Sequence, residues 1–539
     1  MKSLKIISGI LFVASLAALV LVGYLIVTGF PAPEWLSFIK MKSLRKPAQI
    51  FLALFLASIL IHPDRASKMK RLGGALSHPA SVWVLTGVYA LIFLWHEIAE
   101  YLSVEINFLP FSFYDYMLYY FPQGKFHFTG FLHGFYHINN AMFLLAPLWH
   151  FYQNSFLLIL VYPLILAGAG VPLYFLARRY FEHSAVPFVA VFTYLNYRYL
   201  QNVLDMNFTV EGFYPLFLFS LILFAAGQKW FWYGIFLLLT LSVKEDAPFY
   251  LAVFGFLLLW MRGKRIAGLL TIASSAAYFI FIQHFLVVWT GSDIFKGSAE
   301  NFAKYGSSPF QILGYFALHI PEILKEFLGT KEAWKTLSKA FGSLMLLPVL
   351  SPYAIGGLAA LFPCFVRGGE SFLNLQFQYS APFIGFVFPA LVDGLRRVWK
   401  RVAVIPQWRE PLFAIILILL VFLNCGNLRI PRIEKDDLKT IALAKSIPVD
   451  AVLVTHGHLL PYIGYRKENF FFQAPLEDKE HPHALKPVYD HADYYLMARG
   501  INLYPMNEDF FENKLKELKS RSDLELIQDD GVRYLFKKK

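Results

Sequence analysis

The stretch LTLSVKEDAPFYLAV, residues 239–253, sets Lys244, Glu245 and Asp246 side by side between two apolar runs. The runs cover residues 229–243 and 247–261, and each is close to the length that crosses a bilayer core of about 30 Å. A charge deep in lipid is costly, so a chain keeps one at a water boundary or at a functional site. The stretch therefore predicts two membrane helices that meet in a short polar turn.

The same pattern extends over most of the chain. Of 539 residues, 57% are hydrophobic and only 16% are charged, whereas soluble domains carry about 25% charged residues. The Lys and Arg behind the net charge of +12 gather in short clusters between apolar runs, which points to membrane topology and away from nucleic-acid binding. We predict an α-helical polytopic membrane protein with about 11–13 spans.

The basic clusters predict the orientation. Those at 68–71, 178–179, 262–265 and 395–401 should be cytoplasmic by the positive-inside rule. Spans that include residues 80–97 and 184–201 alternate between these clusters. They place four polar segments on the opposite, extracytoplasmic face: a first outer loop at 98–150, and residues 202–211, 244–246 and 290–335.

A proline-containing segment needs a break for this orientation to hold. If residues 341–366 formed one helix, the basic cluster at 395–401 would lie outside. Pro348 and Pro352 interrupt helical hydrogen bonding, so we expect two short limbs that meet near Ser351. One last span at 410–425 then carries the tail to the extracytoplasmic face.

The chain divides into three predicted regions. Residues 1–79 form an N-terminal membrane anchor or extension, although the sequence does not decide the topology of residues 30–79. Residues 80–426 form the transmembrane domain. Residues 427–539 have the composition of a small soluble α/β domain, with strands expected at AVLVTHGHL, HADYYLMA and GVRYLFKK and a helix at EDFFENKLKELKS.

Ionisable residues collect on the predicted outer face. The candidates are Asp115, Lys125, His133 and His137 in the first outer loop, Asp205 and Glu211 in the next, and Lys244, Glu245 and Asp246 in the turn. Four of them also have a structural alternative. Asp246 before Ala247-Pro248 is typical of a helix N-cap, Asp115 could face water from an amphipathic helix, and the i, i+4 spacing of the two histidines is common without a metal.

Six stretches, in this order, resemble a prokaryotic membrane-protein family catalogued as a domain of unknown function: HINNAMFLLAPLW, VYPLILAGAGVPLYFLARRY, DMNFTVEGFYPLF, LLLTLSVKED, QYSAPFIGFVFPAL and IPVDAVLVTHGHLLPYIGYR. The match runs from about residue 80 to the end. The family is similar to the type C glycosyltransferases (GT-C), multi-span enzymes that take a sugar from a polyprenyl-phosphate carrier. This chain departs from its relatives where it has FSFYDY for an Asp-Leu-Gly type signature and DMN for Asp-Phe-His.

The resemblance implies a GT-C-like fold and an inverting glycosyl transfer on the outer face of the plasma membrane. The acceptor is a glycan, a lipid or a protein. A carboxylate must take the acceptor's proton, for which Asp115 is the expected base, with Asp205, Glu211, Glu245 and Asp246 as further catalytic carboxylates. Cations must offset the charge of the departing phosphate, for which Lys125, His133, His137 and Lys244 are candidates. Glu245 and Asp246 would hold Lys244, or complete a site for Mg²⁺ or Mn²⁺ with Asp205.

Two other classes compete with this interpretation. A transporter or lipid flippase also carries intramembrane charges and broken helices, but paired halves with matching breaks are not visible. A scaffold whose outer domain binds a partner would leave the loop carboxylates without a role.

Overall fold

The computed structural model describes residues 2–30, 43–120, 122, 139–261, 263–282, 284, 302–367, 370–402, 406–465, 469–472, 492–504 and 506–539. The first fourteen helices are α1 Lys2–Thr28, α2 Arg45–Ile61, α3 Arg65–Ser77, α4 Ala80–Leu102, α5 Phe108–Tyr120, α6 Ala146–Phe151, α7 Phe156–Gly168, α8 Gly170–Arg178, α9 Val186–Leu195, α10 Arg198–Leu204, α11 Phe213–Gly227, α12 Trp230–Leu241, α13 Ala247–Trp260 and α14 Arg265–Phe281. The remaining helices are α15 Pro309–Leu318, α16 Ile320–Leu328, α17 Lys331–Gly342, α18 Tyr353–Arg367, α19 Glu370–Leu373, α20 Ala381–Val402, α21 Pro406–Asn424, α22 Lys435–Ser446 and α23 Glu508–Ser520.

The predicted polytopic membrane architecture is confirmed. Within the described ranges, six helical segments are long and apolar enough to cross a membrane: Ser3–Thr28, Ala80–Leu102, Phe156–Arg178, Val210–Gly227, Ser371–Val402 and Gln407–Asn424. Five shorter apolar helices accompany them: Val186–Leu195, Trp230–Leu241, Ala247–Trp260, Arg265–Phe281 and Tyr353–Val366. The turn that holds Lys244 lies between two of these, as its sequence predicts.

The break predicted within 341–366 is also confirmed. Helix α17 ends at Gly342, Met345 and Leu346 have positive φ values of 56°, and α18 begins only at Tyr353. The first limb is a single 3₁₀ turn at Leu347–Leu350 instead of the expected short α-helix. Met345 and Leu346 leave the helical conformation before Pro348, so the break is longer than the two prolines indicate.

A second break lies in the predicted span 184–201, which divides into α9 and α10. Asn196 follows the end of α9 and bonds in several directions at once: its side-chain amide donates to the Tyr89 hydroxyl and to the Phe192 carbonyl, and its Oδ1 accepts from the Gly426 amide. These bonds satisfy polar groups that lipid could not. The one continuous helix expected here is therefore wrong.

Fully buried tyrosines form much of the bundle core. The hydroxyl of Tyr162 donates to the Val203 carbonyl at 2.8 Å, and that of Tyr194 donates to the Leu166 carbonyl at 2.7 Å. Because each hydroxyl has an internal partner, these rings cross-link helices without leaving a polar group unsatisfied.

Basic residues gather at one end of the bundle. The guanidinium of Arg179 donates to the Ala226 carbonyl, and that of Arg396 lies 4.9 Å from the centroid of the Tyr180 ring. Burial and the nearby Arg179 charge lower the pKa of Lys264. Members of three separate basic clusters therefore lie together, as expected if all three clusters are on one face of the membrane.

The tail folds as an α/β unit around a five-stranded sheet. Its strands are β1 Leu453–Thr455, β2 Asn469–Phe471, β3 Tyr494–Ala498, β4 Leu524–Asp529 and β5 Arg533–Lys538. Their order is β2-β1-β3-β5-β4, with β1 parallel to both neighbours and β5 antiparallel to both of its own. Helix α23 packs Phe511, Leu515 and Leu518 against this sheet.

The tail sits directly on the ends of α4 and α5. The hydroxyl of Tyr462 donates to the Tyr101 carbonyl at 2.5 Å, and the His458 ring lies 4.9 Å from that of Phe108. At Gly457 a Cβ atom would lie 2.3 Å from the Phe108 ring, so only glycine permits this approach. The tail therefore covers the membrane helices where the polar residues described below converge.

Candidate functional site

Ionisable side chains of α4 meet the turn that follows α10. His96 and Glu100 are one helical turn apart and share a face of α4. The His96 Nε2 atom lies 3.0 Å from Asp205 Oδ1 and 3.6 Å from Glu100 Oε1. One potential ligand atom from each of the three residues lies within 4.8 Å of the others, so the group could hold a metal ion.

Asn207 fixes this group in place. Its side-chain amide donates to Glu100 Oε2 at 2.5 Å and to Glu97 Oε2 at 3.1 Å. Its Oδ1 accepts from the Asn107 amide at 2.7 Å. Asn207 has a φ of 60°, a left-handed conformation that asparagine tolerates better than most residues. The turn thus presents its amide to two buried glutamates while the Asp205 side chain stays 54% exposed.

A buried ion pair joins the next two segments. Lys244 Nζ lies 2.6 Å from Glu211 Oε1, and both side chains are largely buried. Burial lowers the pKa of Lys244, but Glu211, Glu245 and Asp246 raise it by more, so it is held well above its usual range. Glu245 and Asp246 are the predicted partners of Lys244, but its ion pair in the described structure is with Glu211.

Asp246 has a different role from the expected helix cap. It directly precedes α13, yet its carboxylate makes no capping hydrogen bond. Its two oxygens accept instead from the hydroxyls of Tyr214 and Tyr250, at 2.5 and 2.6 Å. The capping interpretation is therefore wrong: the carboxylate ties α11 to α13. Burial raises the pKa of Asp246, opposed by Lys244 and the two tyrosine hydroxyls.

Asp115 is buried beneath the tail. Its Oδ2 accepts from the Ser155 hydroxyl at 2.8 Å and its Oδ1 accepts from the Tyr465 hydroxyl at 2.7 Å. The Tyr465 ring stacks on Tyr119 with centroids 4.2 Å apart. Burial raises the pKa of Asp115 to about 7, although both hydrogen bonds lower it. The alternative of a carboxylate facing water from an amphipathic helix is wrong, because Asp115 is only 3% exposed.

The three groups lie close together. Residues 205–212 supply Asp205 to the group around His96 and Glu211 to the ion pair with Lys244. Between them, the Phe208 ring packs against Tyr114 at 5.4 Å and Tyr162 at 5.3 Å. Tyr114 directly precedes Asp115 and is near enough to Glu211 and Lys244 for their charges to act on it. The described candidates thus gather at one end of the bundle, in three separately hydrogen-bonded groups.

Lys125, His133 and His137 lie outside the described residues. Glu245 is near enough to Lys244 to raise its pKa.

His96, Glu97 and Glu100 are not among the site residues predicted from the sequence. In the predicted arrangement His96 and Glu97 end the apolar span 80–97, and Glu100 belongs to the loop at 98–150. The signal was nevertheless present, since HEIAE places three ionisable groups within one turn at the end of an apolar helix.

Comparison with known proteins identifies the family. No curated protein matches the chain. Residues 111–508 match the family model described as "Predicted membrane protein (DUF2079)", which covers the break at 343–352, the segment 205–212, the turn at 244–246 and most of the tail. Because the match covers well over half of the chain, the protein belongs to this membrane-protein family of unknown function.

Proposed function

We propose that the protein is a membrane glycosyltransferase, which transfers a sugar from a polyprenyl-phosphate donor to an acceptor hydroxyl on the extracytoplasmic face. One observation carries the proposal: His96, Glu97, Glu100 and Asp205 converge in one group at an end of the membrane bundle. Burying ionisable groups is costly, and side chains kept at such depth typically mark a functional site.

The reaction requires one displacement at the anomeric carbon. The acceptor oxygen forms a bond to that carbon while the bond to the donor phosphate oxygen breaks. The bonding electrons leave with the phosphate, and a carboxylate takes the acceptor's proton. Inversion at the anomeric carbon follows from a single in-line displacement.

Asp115 fits the role of the general base. Its pKa of about 7 is close to the value at which a base is effective near neutral pH. Both of its oxygens accept a hydrogen bond, but a carboxylate has about four lone-pair sites, so room remains for the acceptor's hydroxyl.

The phosphate needs compensating positive charge. Of the four predicted phosphate-binding residues, Lys244 is the one that lies within the described structure. Glu211 already neutralises its charge, so a phosphate would have to compete with that carboxylate. We therefore assign the Lys244–Glu211 pair to holding the 244–246 turn beside residues 205–212, and not to primary donor binding. Lys125, His133 and His137 stay predicted donor ligands.

Transport or lipid flipping is the second candidate, favoured by the broken spans at Asn196 and at residues 343–352. One experiment separates the two. The full chain is reconstituted in liposomes with a panel of radiolabelled polyprenyl-phosphate sugars, and water serves as the acceptor hydroxyl. Both sugar release and donor movement between leaflets are measured.

We expect sugar to leave the carrier, and Glu97→Gln to reduce that rate at least 10-fold. The exposed Glu182, located just beyond the basic end of α8, provides the matched control Glu182→Gln, which should retain the wild-type rate. Donor movement across the bilayer with the sugar still attached would instead support a flippase.

A further inference from the structure

We propose that His96, Glu100 and Asp205 bind a divalent transition-metal cation, with Glu97 and Asn207 supporting the ligands. This differs from the Mg²⁺ or Mn²⁺ site first expected from Asp205 with Glu245 and Asp246. In the described structure Asp246 is engaged by two tyrosine hydroxyls, whereas Asp205 faces α4.

The spacing of the three side chains suits a metal. Imidazole nitrogens and carboxylate oxygens lie about 2.0–2.2 Å from Zn²⁺, so neighbouring ligands in a tetrahedral shell are about 3.3–3.6 Å apart. The His96 Nε2 atom lies 3.0 Å from one carboxylate oxygen and 3.6 Å from the other. All three ligand atoms fall within 4.8 Å, so small side-chain rotations would complete the shell.

An unsatisfied atom points to a missing ligand. Among the described residues, Glu97 Oε1 is buried without a hydrogen-bond partner, and Glu97 is 0% exposed. The described donor shared by Glu97 and Glu100 is the neutral amide of Asn207. A hydrogen-bonded amide cannot neutralise two carboxylates, so both can be ionised at this depth only when a cation lies beside them.

The Asp205 side leaves a route for the ion. Arg429 acts electrostatically on Asp205, but no hydrogen bond or ion pair to Arg429 is present in the described structure. The 54% exposure of the Asp205 side chain makes it the ligand that an incoming ion meets first. Three protein ligands with one open position are typical of catalytic zinc sites.

The ligand types indicate which cations fit. Mg²⁺ and Ca²⁺ prefer all-oxygen sites, whereas imidazole suits Zn²⁺ and other transition metals, and carboxylates also suit Mn²⁺. One nitrogen with two carboxylates therefore favours Zn²⁺ or Mn²⁺ over Mg²⁺. Asn207 would act through Glu100, because it holds that carboxylate toward His96.

The inference deepens the proposed function. It rests on that function in one respect only: the ligand at the open position would be a phosphate oxygen of the donor. Cation binding itself can be measured without donor or acceptor. The experiment uses the full chain in detergent, stripped with a chelator and titrated with Mn²⁺ by electron paramagnetic resonance, then with Zn²⁺ as competitor.

We expect one site per chain, displacement of Mn²⁺ by Zn²⁺, and a rise in melting temperature with Zn²⁺. Glu100→Gln and Asp205→Asn should each weaken Mn²⁺ binding at least 10-fold and abolish the rise, and Asn207→Ala should weaken binding about 10- to 100-fold as a supporting residue. Glu182→Gln is the matched control and should bind as wild type.

Failure to bind by a wild-type chain that still melts cooperatively overturns the site, as does equal binding by the two ligand variants. If sugar transfer persists with chelator while no cation binds, the cation site fails and the transferase stands. Stoichiometric cation binding by a chain that transfers no sugar would support the cation site and overturn the proposed transferase.

Discussion

The hydroxyl of Tyr465 donates a 2.7 Å hydrogen bond to Asp115, joining the tail to α5 across 350 residues of sequence. Ser155 supplies the second donor, so the buried carboxylate is held from the tail and from the start of α7 together. This contact makes the tail part of the candidate site, because the chemistry of Asp115 depends on a residue that the tail contributes.

Tyr465→Phe tests that dependence. The variant leaves one buried carboxylate oxygen without its donor, which typically costs about 1–3 kcal/mol of stability. Because this hydrogen bond lowers the pKa of Asp115, its loss should raise that pKa and shift the pH profile of sugar transfer upward. Thermal melting and the rate measured over pH provide the two readouts. Tyr504→Phe, at an exposed tail position, is the control; an unchanged pH profile would separate Asp115 from the reaction.

Asp115 also predicts a pH dependence of stability. Its pKa is 3.8 when unperturbed and about 7 in the fold, so the folded state holds its proton over a range where the unfolded chain has lost it. Folding therefore becomes less favourable as pH rises from about 4 to 7, and the loss persists above that range. Asp115→Asn removes this term. The melting temperature of wild type minus that of the variant should fall between pH 4 and pH 7, and a constant difference would contradict the raised pKa.

The Glu211–Lys244 pair predicts strong coupling between two variants. Lys244→Met alone leaves a buried carboxylate uncompensated, and removing one partner of a buried pair typically costs about 3–5 kcal/mol. Glu211→Gln alone leaves the buried ammonium. Because the double variant leaves neither charge, it should be more stable than the sum of the single losses predicts. Denaturation of all four proteins measures the coupling, and additive losses would show that the pair is open to solvent.

Gly457 predicts how tightly the tail docks. A methyl group there would meet the Phe108 ring at 2.3 Å, so Gly457→Ala should loosen the tail from α5 and speed its proteolysis. Phe108→Leu in the same chain should relieve part of the defect by making space. Gly87→Ala on α4, where a Cβ has no neighbour within 4 Å, is the matched control. Equal proteolysis of Gly457→Ala and wild type would mean that the ring moves aside.

The fold was predictable where one segment carries its own signal. Apolar runs between charged turns gave the membrane class, and Pro348 with Pro352 gave the break after α17. Strands β3 and β5 of the tail match predicted segments, whereas β1 covers only Leu453–Thr455 of the predicted AVLVTHGHL and β4 was not predicted. The break at Asn196 was missed, because it depends on bonds to Tyr89 and Gly426 that lie far away in sequence.

The candidate site was predictable only in part for the same reason. Asp205, Glu211 and Lys244 are conspicuous as charges at the ends of apolar segments, but packing decides that Lys244 pairs with Glu211 and that Asp246 bonds to tyrosines. His96 and Glu100 were not predicted, because their shared partner Asp205 reaches them only when the turn after α10 packs against α4.

The last prediction concerns the face of the membrane on which the candidate site lies. The tail and the buried carboxylates lie together, while Arg179, Lys264 and Arg396 gather at the basic end, so the two sets should lie on opposite faces of the membrane. Cysteine at Ser522, exposed in the tail, should react with an impermeant maleimide in intact cells. Cysteine at His183, exposed near the basic end, should react only after permeabilisation.

The background for this experiment is favourable, because Cys364 and Cys425 are both buried and should stay unlabelled. Ser112 in the first outer loop is unsuitable as a reporter, since it is 1% exposed in α5. Labelling of the two introduced cysteines with reversed accessibility would put the carboxylates in the cytoplasm. A lipid-linked sugar would then have to be used on the inner leaflet, and the proposed extracytoplasmic transfer would fail even if the cation site were intact.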